Sequence, residues 1–498
     1  MIYSELIRGL LPEIILVLGA LSCLSVDLFF LRDRSLGRRW RISSRIALAT
    51  LMIGAGGACL FLPNLSLAEE MLVIDPLVQW IKVVLLLLGA MVALLSGGAR
   101  FSDHPAEYHA ILLLAISGMT LMVSTENLIM IFVAVELTSL SLYALVGFDK
   151  RSAVGAEAAL KYFLYGGASA AMILFGFGYL YGVTGVTDFG GMSAVITSQG
   201  WTSFLAIGVV LSLLGFAFKI AAAPFHMWAP DVYQGAPTAV AALVASGSKV
   251  AAFFVLVKFL VVAMGAVDGR ASWGEVYAGW AVILAFLIVV SVLIGNLMAL
   301  VQTCVKRLIA YSAVAHAGYA LLGILSNNMN GLVAVIYYSV TYAVTIIGVF
   351  AIVGLLENDH PEQKGEMGFS RFSGLSRRSP LASVGLLIFF LSLAGIPPLA
   401  GFFGKYFLFV EALRGETGNG LIGLIVVTVG ASAVSLYYYL QVLKYVFVED
   451  ADKALPQLAV PDYARIVILF AAAVTVILGC APSLMLEPLT EAISMLPK

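Results

Sequence analysis

Residues 203–238 read SFLAIGVVLSLLGFAFKIAAAPFHMWAPDVYQGAPT, and this stretch decides the fold of the chain. Its first half is an almost unbroken apolar run with a single charged residue, Lys219, and Pro224 follows shortly after it. About 20 apolar residues are needed to cross the roughly 30 Å of hydrocarbon in a bilayer. Proline removes a backbone donor and collides with the preceding turn. The stretch therefore predicts a membrane helix, over about residues 203–224, that is broken beside a buried lysine.

The whole chain has the composition of a membrane protein. Of its 498 residues, 61% are hydrophobic and only 11% are charged. In soluble domains about a quarter of the residues are charged. The formal net charge of −1 gives no basic excess for a nucleic-acid partner. The cysteines stand singly and fit neither a zinc site nor an iron–sulfur cluster, so we expect no metal and no cofactor in this chain. They are Cys23, Cys59, Cys304 and Cys480.

Apolar runs of spanning length recur from end to end, and no soluble domain interrupts them. We therefore predict an all-α integral membrane protein of about fourteen transmembrane helices. The predicted spans are 9–31, 43–63, 76–97, 108–124, 127–147, 157–183, 203–224, 237–262, 276–300, 307–325, 331–355, 381–412, 420–446 and 464–486.

Lysine and arginine in the short loops predict the orientation, because such loops are enriched in positive charge on the cytoplasmic side. One set of alternating loops carries most of the basic residues: Arg32, Arg34, Arg38, Arg39, Arg41, Arg45, Arg100, Lys150, Arg151, Lys306, Arg307, Lys364, Arg371, Arg377, Arg378 and Lys453. The loops of the other set offer little beyond Arg270 and Arg414. We therefore expect both termini to face the periplasm or its equivalent.

Two spans contain internal prolines, the seventh at Pro224 and the twelfth at Ile396-Pro397-Pro398. Broken helices in corresponding places indicate inverted repeats with a transport path at their interface. We predict two inverted five-helix repeats with broken helices 7 and 12. The predicted organisation is an N-terminal three-helix segment (1–107), a first repeat of helices 4–8 (108–262), a second repeat of helices 9–13 (263–448) and a C-terminal helix (449–498).

Five ionisable residues fall inside the predicted spans: Glu136, Lys219, Lys249, His316 and Lys405. An ionised side chain at the centre of a bilayer costs at least about 2.5–3.5 kcal/mol, so such residues indicate function. Burial disfavours the charged form of a lysine and a nearby carboxylate favours it, while histidine titrates near neutral pH. Any one of the five could be a structural ion pair or a core histidine, but together they predict a proton relay.

The remaining charges in the spans have simpler interpretations. Lys161 lies at the inner end of its helix, where it either snorkels or serves as a candidate proton intake. Lys258 is out of phase with Lys249, so we expect it to snorkel to the outer side or to pair locally. We expect Lys82 to be an interfacial anchor and Glu126 to be a helix cap.

Several segments resemble one known family, the antiporter-like membrane subunits of respiratory complex I, the proton-pumping NADH:quinone oxidoreductase. The resemblance covers nearly the whole chain. The segments are VAVELTSLSLYAL around Glu136, GFAFKIAAAPFHMWAPDVYQGAPT from Gly215, GSKVAAF around Lys249, KRLIAYSAVAHAGY from Lys306 and GIPPLAGFFGKYFLF from Gly395.

The resemblance implies roles for these residues. Glu136 and Lys219 would form a controlling pair, Lys249 and His316 a central connection, and Lys405 the site that leads to the outside. Of the three such subunits, L, M and N, the chain is most similar to N, because subunit M has a glutamate in place of Lys405 and subunit L a long lateral helix. The resemblance also implies a bacterial inner membrane, other membrane subunits as partners, and flavin, iron–sulfur clusters and quinone handled elsewhere.

Two other functions remain open from the sequence. The chain could belong to a cation/proton antiporter complex or a membrane-bound hydrogenase, without the quinone-linked redox coupling. It could also be a structural spacer in a membrane assembly, with the buried lysines as static pairs.

Overall fold

The structure is a computed structural model that describes residues 2–60, 65–67, 71–272, 275–359, 367–414, 421–450 and 457–494. The described chain is almost entirely helical, with two short antiparallel hairpins. The first half contains α1 (Ile2–Gly9), α2 (Leu11–Val26), α3 (Leu36–Leu60), α4 (Pro76–Ser96), α5 (Pro105–Val123), α6 (Leu128–Val146), α7 (Ala153–Thr184), α8 (Phe189–Gln199), α9 (Ser203–Lys219), α10 (Trp228–Gly235), α11 (Thr238–Ala245) and α12 (Gly247–Lys258).

The second half contains α13 (Trp280–Leu300), α14 (Val305–Leu325), α15 (Met329–Asp359), α16 (Leu375–Arg378), α17 (Pro380–Ala394), α18 (Ala400–Arg414), α19 (Ile422–Phe447), α20 (Asp462–Cys480) and α21 (Ser483–Ser494). The hairpins pair β1 (Leu65–Leu67) with β2 (Leu72–Ile74) and β3 (Arg270–Ser272) with β4 (Glu275–Tyr277).

Twelve helices of the described chain are long and apolar enough to cross a bilayer. Two shorter apolar helices, α9 and α17, stand at the seventh and twelfth predicted spans, and each is followed by a break and a second helix. The prediction of an all-helical membrane protein with breaks at these two places is thus confirmed. The count of fourteen spans and the inverted repeats stay predictions.

Local sequence sets where several helices begin. The side chain of Asp75 accepts a hydrogen bond from the Val78 amide at the start of α4, and Asn127, Ser152 and Thr202 cap α6, α7 and α9 in the same way. A side-chain acceptor at this position satisfies a backbone amide that has no partner within the helix. Polar residues between the apolar runs therefore fix the helix starts.

The second predicted span starts earlier than expected, because α3 begins at Leu36 and includes arginines assigned to the loop. Arg39 forms an ion pair with Asp27 in a turn of π-helix after α2. Paired in this way, an arginine can continue the helix. The predicted loop residues Lys364 and Lys453 lie outside the described residues. We call the end of the bundle at the start of α3 the arginine end, and the opposite end, with both hairpins, the hairpin end.

The centre of the bundle is formed by α12, α14 and α15. Every residue in the most apolar stretch of α14 is buried, whereas only a third of the corresponding residues are buried in α2, α19 and α20. The outer helices thus offer their apolar faces to lipid, and the central ones are enclosed by protein. Lys249 and His316 lie on these central helices, and are therefore shielded from the hydrocarbon.

The first break, between α9 and α10, is made of turns. Ala221 has a φ of +59°, in the left-handed region that non-glycine residues rarely adopt. The indole Nε1 of Trp228 donates to the carbonyl of Phe218 (3.1 Å), and Ser291 Oγ on α13 accepts from the amide of Ala223 (2.9 Å). The Ser291 hydroxyl thus satisfies an amide that the broken helix leaves free, and the indole is a second donor to a carbonyl that also accepts from the Ala221 amide (3.0 Å).

The second break, between α17 and α18, is shorter and begins at Gly395, with a φ of +87°. Its free carbonyls are those of Leu393 and Ala394, and both accept hydrogen bonds from the Nζ atom of Lys405 (2.9 and 3.1 Å). A cation is favourable at the C-terminal end of a helix. The lysine predicted from the sequence is therefore part of the break itself.

Candidate functional site: a row of buried basic residues

The predicted pair of Glu136 and Lys219 is not an ion pair in this structure. Lys219 Nζ instead donates to Ser139 Oγ (2.6 Å), which lies one turn further along α6 than Glu136. The Oε1 atom of Glu136 is buried without a hydrogen-bond partner, although the carboxylate is close enough to act electrostatically on Lys219 and on Tyr143. The direct contact implied by the resemblance is therefore absent, while the two groups remain in range of each other.

Lys161 lies at the arginine end in a cluster that joins the two halves of the chain. Its Nζ atom contacts Glu157 (2.6 Å) and Asp231 (2.8 Å), and the same aspartate accepts from Arg307 on α14 (2.6 Å). The side chain of Lys161 is 39% exposed. This position is compatible with either sequence-based interpretation, snorkelling or proton intake.

Lys249 lies at the centre of the bundle, on the first turn of α12. Its Nζ atom donates to the carbonyl of Ala313 on α14 (3.0 Å) and lies 5.8 Å from the centre of the Tyr342 ring. A cavity of about 10 Å³ is lined by both Lys249 and His316, and by Tyr342 among others. A cavity of this size holds about one water molecule, which would bridge the two side chains.

His316 connects Lys249 to a group of buried tyrosines. Its Nδ1 atom lies 2.5 Å from the hydroxyl of Tyr338, and its Nε2 atom lies 3.2 Å from the hydroxyl of Tyr439. Tyr439 is also hydrogen-bonded to Ser312. An imidazole with an oxygen at each nitrogen can take a proton on one side and release one on the other.

These tyrosines were missed by the sequence-based reasoning, which considered charges only. A usable signal existed, because Tyr338 and Tyr342 are four residues apart on α15 and so share one helix face. The same face would be expected to contact one partner, and the partner is His316, whose ring lies 4.9 Å from that of Tyr342. Two tyrosines four residues apart in an apolar helix therefore indicate that polar hydroxyls share one buried helix face.

Lys405 is at the far end of the row. Besides the two carbonyls of the break, its Nζ atom donates to Ser432 Oγ on α19 (2.9 Å) and lies 5.0 Å from the centre of the Tyr319 ring. The Tyr319 hydroxyl accepts from Asn296, whose Oδ1 atom accepts from Tyr438. Polar side chains thus line the region between His316 and Lys405.

Lys249, His316 and Lys405 are all basic, and among the described residues none of the three has an ion-pair partner within 4.0 Å. His316 is within electrostatic range of both lysines. Like charges at this depth repel strongly, because the surroundings are poorly polarisable. The three groups therefore cannot all be protonated at low cost, and a proton on one favours its release from the next.

Two of three other charges differ from the predictions, and the third, Lys258, follows one of its two predicted alternatives. Lys82 is fully buried and pairs with Glu13 (3.0 Å), so the prediction of an interfacial anchor is wrong. Lys258 does not snorkel but pairs locally, with Glu126 (2.6 Å). The cap of α6 is Asn127, not Glu126. Helix packing buried these lysines beside carboxylates from distant parts of the chain, which the local sequence does not reveal.

Comparison with known proteins places this arrangement in a family. A family model described as NADH:quinone oxidoreductase/Mrp antiporter, TM matches residues 125–432. The NADH-quinone oxidoreductase subunit N 2 of Acidobacterium capsulatum is 45% identical over 494 residues, which cover 97% of this chain and 98% of that protein. Subunit N of Trichlorobacter lovleyi is 35% identical, over 98% of this chain and 97% of its own.

Solved structures agree with these sequence matches. A chain of respiratory complex I from Thermus thermophilus superposes with a TM-score of 0.79 at 33% identity and covers 96% of this chain and 98% of that chain. A chain of the Mrp complex from Dietzia sp. has a TM-score of 0.80 and covers 98% of this chain and 97% of that chain. Because its sequence identity is only 22%, this match shows a shared fold alone. The chain therefore belongs to the antiporter-like membrane subunits of the NADH:quinone oxidoreductase/Mrp antiporter family and is most similar to subunit N of complex I.

Proposed function

We propose that this chain moves protons across the membrane as a subunit of a proton-translocating NADH:quinone oxidoreductase. The observation that carries the proposal is the enclosed row of Lys249, His316 and Lys405, in which hydroxyls and a one-water cavity fill the spaces between basic groups. A static structural role for lysines is better served by carboxylate partners, as at Lys82 and Lys258. The row lacks such partners, so its charges are free to change.

The transfer begins at Lys249, which holds a proton while it donates to Ala313. Through the water-sized cavity the proton passes to His316, which releases a proton to the hydroxyl of Tyr439 while that hydroxyl passes its own proton on towards Lys405. Lys405 receives a proton at the second break and gives it to the far side of the membrane. Lys219 lies within electrostatic range of Glu136, and a change in this pair would make the first break the controlling point.

Electron transfer takes place in other subunits, and flavin and iron–sulfur clusters are expected there. The partners of this chain are the other membrane subunits of complex I, which is consistent with related chains being parts of a respiratory complex I and of an Mrp complex. The alternative of a cation/proton antiporter is supported less well, because the relatives named above at 35–45% identity are all NADH-quinone oxidoreductase subunits.

The proposed location is the bacterial inner membrane with the arginine end in the cytoplasm and both termini in the periplasm. The repeats would span 108–262 and 263–448, after the three-helix segment 1–107 and before the last helix from 449. Gly37, at the start of α3, has open space around it and accepts a cysteine without strain. An impermeant thiol reagent should label Gly37→Cys in inverted vesicles and not in intact cells, and the reverse result would overturn the orientation.

The function is tested by NADH-driven proton uptake into inverted vesicles, with assembly checked on a native gel. Lys249→Met removes the amine at nearly constant size, and Lys405→Arg keeps the charge but cannot release a proton. Both variants should lose proton uptake. The matched control is the double variant Lys82→Met with Glu13→Gln, which removes a buried pair outside the row. Normal uptake by both row variants, or an equal loss in the control, would contradict the proposed function.

A further inference from the structure

The arginine end of the bundle contains a cavity of about 540 Å³. None of the site residues predicted from the sequence lies in the wall of this cavity. We call this cavity the vestibule. It lies where the end of α4, the start of α11, the end of α15 and the start of α20 meet. Its wall includes the polar residues Arg100, Asp149, Gln234, Thr238, Glu357 and Asn358.

Glu357, a charged residue of the wall, is held in place by two side chains. Lys306, which is fully buried, donates to both carboxylate oxygens of Glu357 (2.8 and 3.0 Å), and the hydroxyl of Thr238 donates to the same carboxylate. A polar wall of this kind suits water, and water needs polar partners to occupy a cavity. The vestibule is therefore suited to hold water at the end of the bundle that we place in the cytoplasm.

The vestibule lies close to the central lysine. Thr238, in its wall, is the first residue of α11, and this helix ends at Ala245, directly before a break at Ser246. An eight-residue helix is about 12 Å long. Lys249 follows three residues after Ser246. Only one short helix length thus separates the vestibule from the row of basic residues.

Two buried tyrosine hydroxyls lie in this interval, and neither has a hydrogen-bond partner. They belong to Tyr233 on α10 and Tyr342 on α15. The ring of Tyr233 packs against Phe350, which is part of the vestibule wall (5.8 Å between ring centres). Tyr342 lies over Lys249 and is close enough to Tyr233 to interact with it electrostatically. Buried hydroxyls normally find partners, so two without any indicate sites for water.

From the vestibule and these hydroxyls we propose a second proton intake, which leads from the arginine end through Tyr233 and Tyr342 directly to Lys249. This inference rests on the proposed function and adds to it the route by which cytoplasmic protons reach the centre. It bypasses Lys161 and the first break, because neither lines the vestibule.

The transfer leaves every relay group unchanged. A proton from vestibule water passes to the oxygen of Tyr233, whose own hydroxyl proton moves through water to Tyr342. Tyr342 in turn gives its hydroxyl proton, through water in the small cavity that both residues line, to the neutral amine of Lys249. The net change is one proton lost from the cytoplasmic side and one proton gained by Lys249.

The first test removes the two hydroxyls and keeps the rings. Tyr233→Phe and Tyr342→Phe are assembled in the complete oxidoreductase, and NADH-driven proton uptake is measured in inverted vesicles. Each variant should lower the initial uptake rate roughly threefold to tenfold, since water can replace a hydroxyl only in part. The matched control is Tyr337→Phe, on the same helix, whose hydroxyl donates to the Leu478 carbonyl and whose side chain lines neither the vestibule nor the cavity beside Lys249. Uptake in the control should stay normal.

The second test blocks the vestibule after assembly, so it does not depend on the folding of the tyrosine variants. Asn358, in the wall, is exposed and is replaced by cysteine in a chain whose four native cysteines are serine. A bulky impermeant thiol reagent added to inverted vesicles should lower proton uptake of Asn358→Cys. The same label on Gly37→Cys, at the same end but outside the vestibule, should not.

The two proposals fail in different ways. Normal uptake by the phenylalanine variants and by fully labelled Asn358→Cys, together with lost uptake in Lys249→Met, overturns the intake alone. Normal uptake in Lys249→Met and Lys405→Arg overturns the proposed function itself. An equal loss in Tyr337→Phe, or in labelled Gly37→Cys, would also overturn the intake, because the effects would then not be specific to this route.

Discussion

The carbonyls at the two helix breaks have different side-chain donors, and that of Phe218 also accepts from the Ala221 amide (3.0 Å). At the first break a neutral indole, that of Trp228, donates to the carbonyl of Phe218, and Lys219 turns away to a single hydroxyl on α6. At the second break no such indole is used, and Lys405 itself donates to two carbonyls and to Ser432. One lysine is therefore held by one exchangeable contact and the other by three oxygens.

This difference indicates different tasks for two lysines that look equivalent in the sequence. A lysine with one hydroxyl partner can move towards the nearby carboxylate of Glu136 at the cost of one hydrogen bond. A lysine that completes a helix end cannot move without leaving buried carbonyls unpaired. The first break thus suits a switch, and the second suits a fixed station that gains and loses a proton in place.

The largest effect is expected when the amine at the second break is removed. Lys405→Met leaves the carbonyls of Leu393 and Ala394 without a donor, which costs about 1–3 kcal/mol for each buried group. Proton uptake should fall to background, and the assembled complex should dissociate at a lower temperature on heating. Lys219→Met should also lose uptake while the dissociation temperature changes little. Equal thermal losses in the two variants would contradict the difference between the breaks.

An intermediate effect is expected when the neutral donor at the first break is removed. Trp228→Phe leaves the carbonyl of Phe218 with the Ala221 amide as its donor (3.0 Å), at a cost of about 0.5–1.5 kcal/mol for the lost hydrogen bond, and Lys219, the next residue in the chain, is expected to replace the indole. Proton uptake should fall severalfold, because Lys219 is then bound to a carbonyl at a helix end, as Lys405 is, and can no longer move freely towards Glu136. In the control, Trp40→Phe, the lost bond is to the carbonyl of Ser102 (3.0 Å), far from both breaks. The control should lose stability without losing uptake; similar uptake in both variants would contradict the prediction.

The smallest effect is expected at the single partner of Lys219. Ser139→Ala removes the hydroxyl that accepts from the lysine, so the amine should pair with Glu136 instead. The uptake rate should change by no more than about tenfold, equivalent to the roughly 0.5–1.5 kcal/mol of a typical hydrogen bond. Ser141→Ala, which removes a hydroxyl bonded within α6 to the Leu137 carbonyl, should leave the rate unchanged. A loss as complete as that of Lys219→Met would show that Ser139 is not an exchangeable partner.

Most of the fold could be predicted from the sequence because the bilayer imposes its rule on each segment separately. An apolar run of sufficient length must form a helix in lipid, and a proline must interrupt it, wherever the segment lies in the bundle. The breaks beside Lys219 and before Lys405 were therefore found without any knowledge of packing. The same rule identified the buried ionisable residues, because each is conspicuous in its own apolar run.

The partners of those residues could not be predicted in this way. Lys258 contacts Glu126, 132 positions earlier, and Lys219 contacts Ser139, 80 positions earlier, in place of the expected Glu136. Hydroxyls of serine and tyrosine carry no charge, so they do not stand out in an apolar helix. The sequence by itself determined that this is a membrane protein with two broken helices and a set of buried charges. Only the tertiary structure decided which charges are paired and which form a row, because helix packing sets the distances between side chains on different helices and local sequence does not.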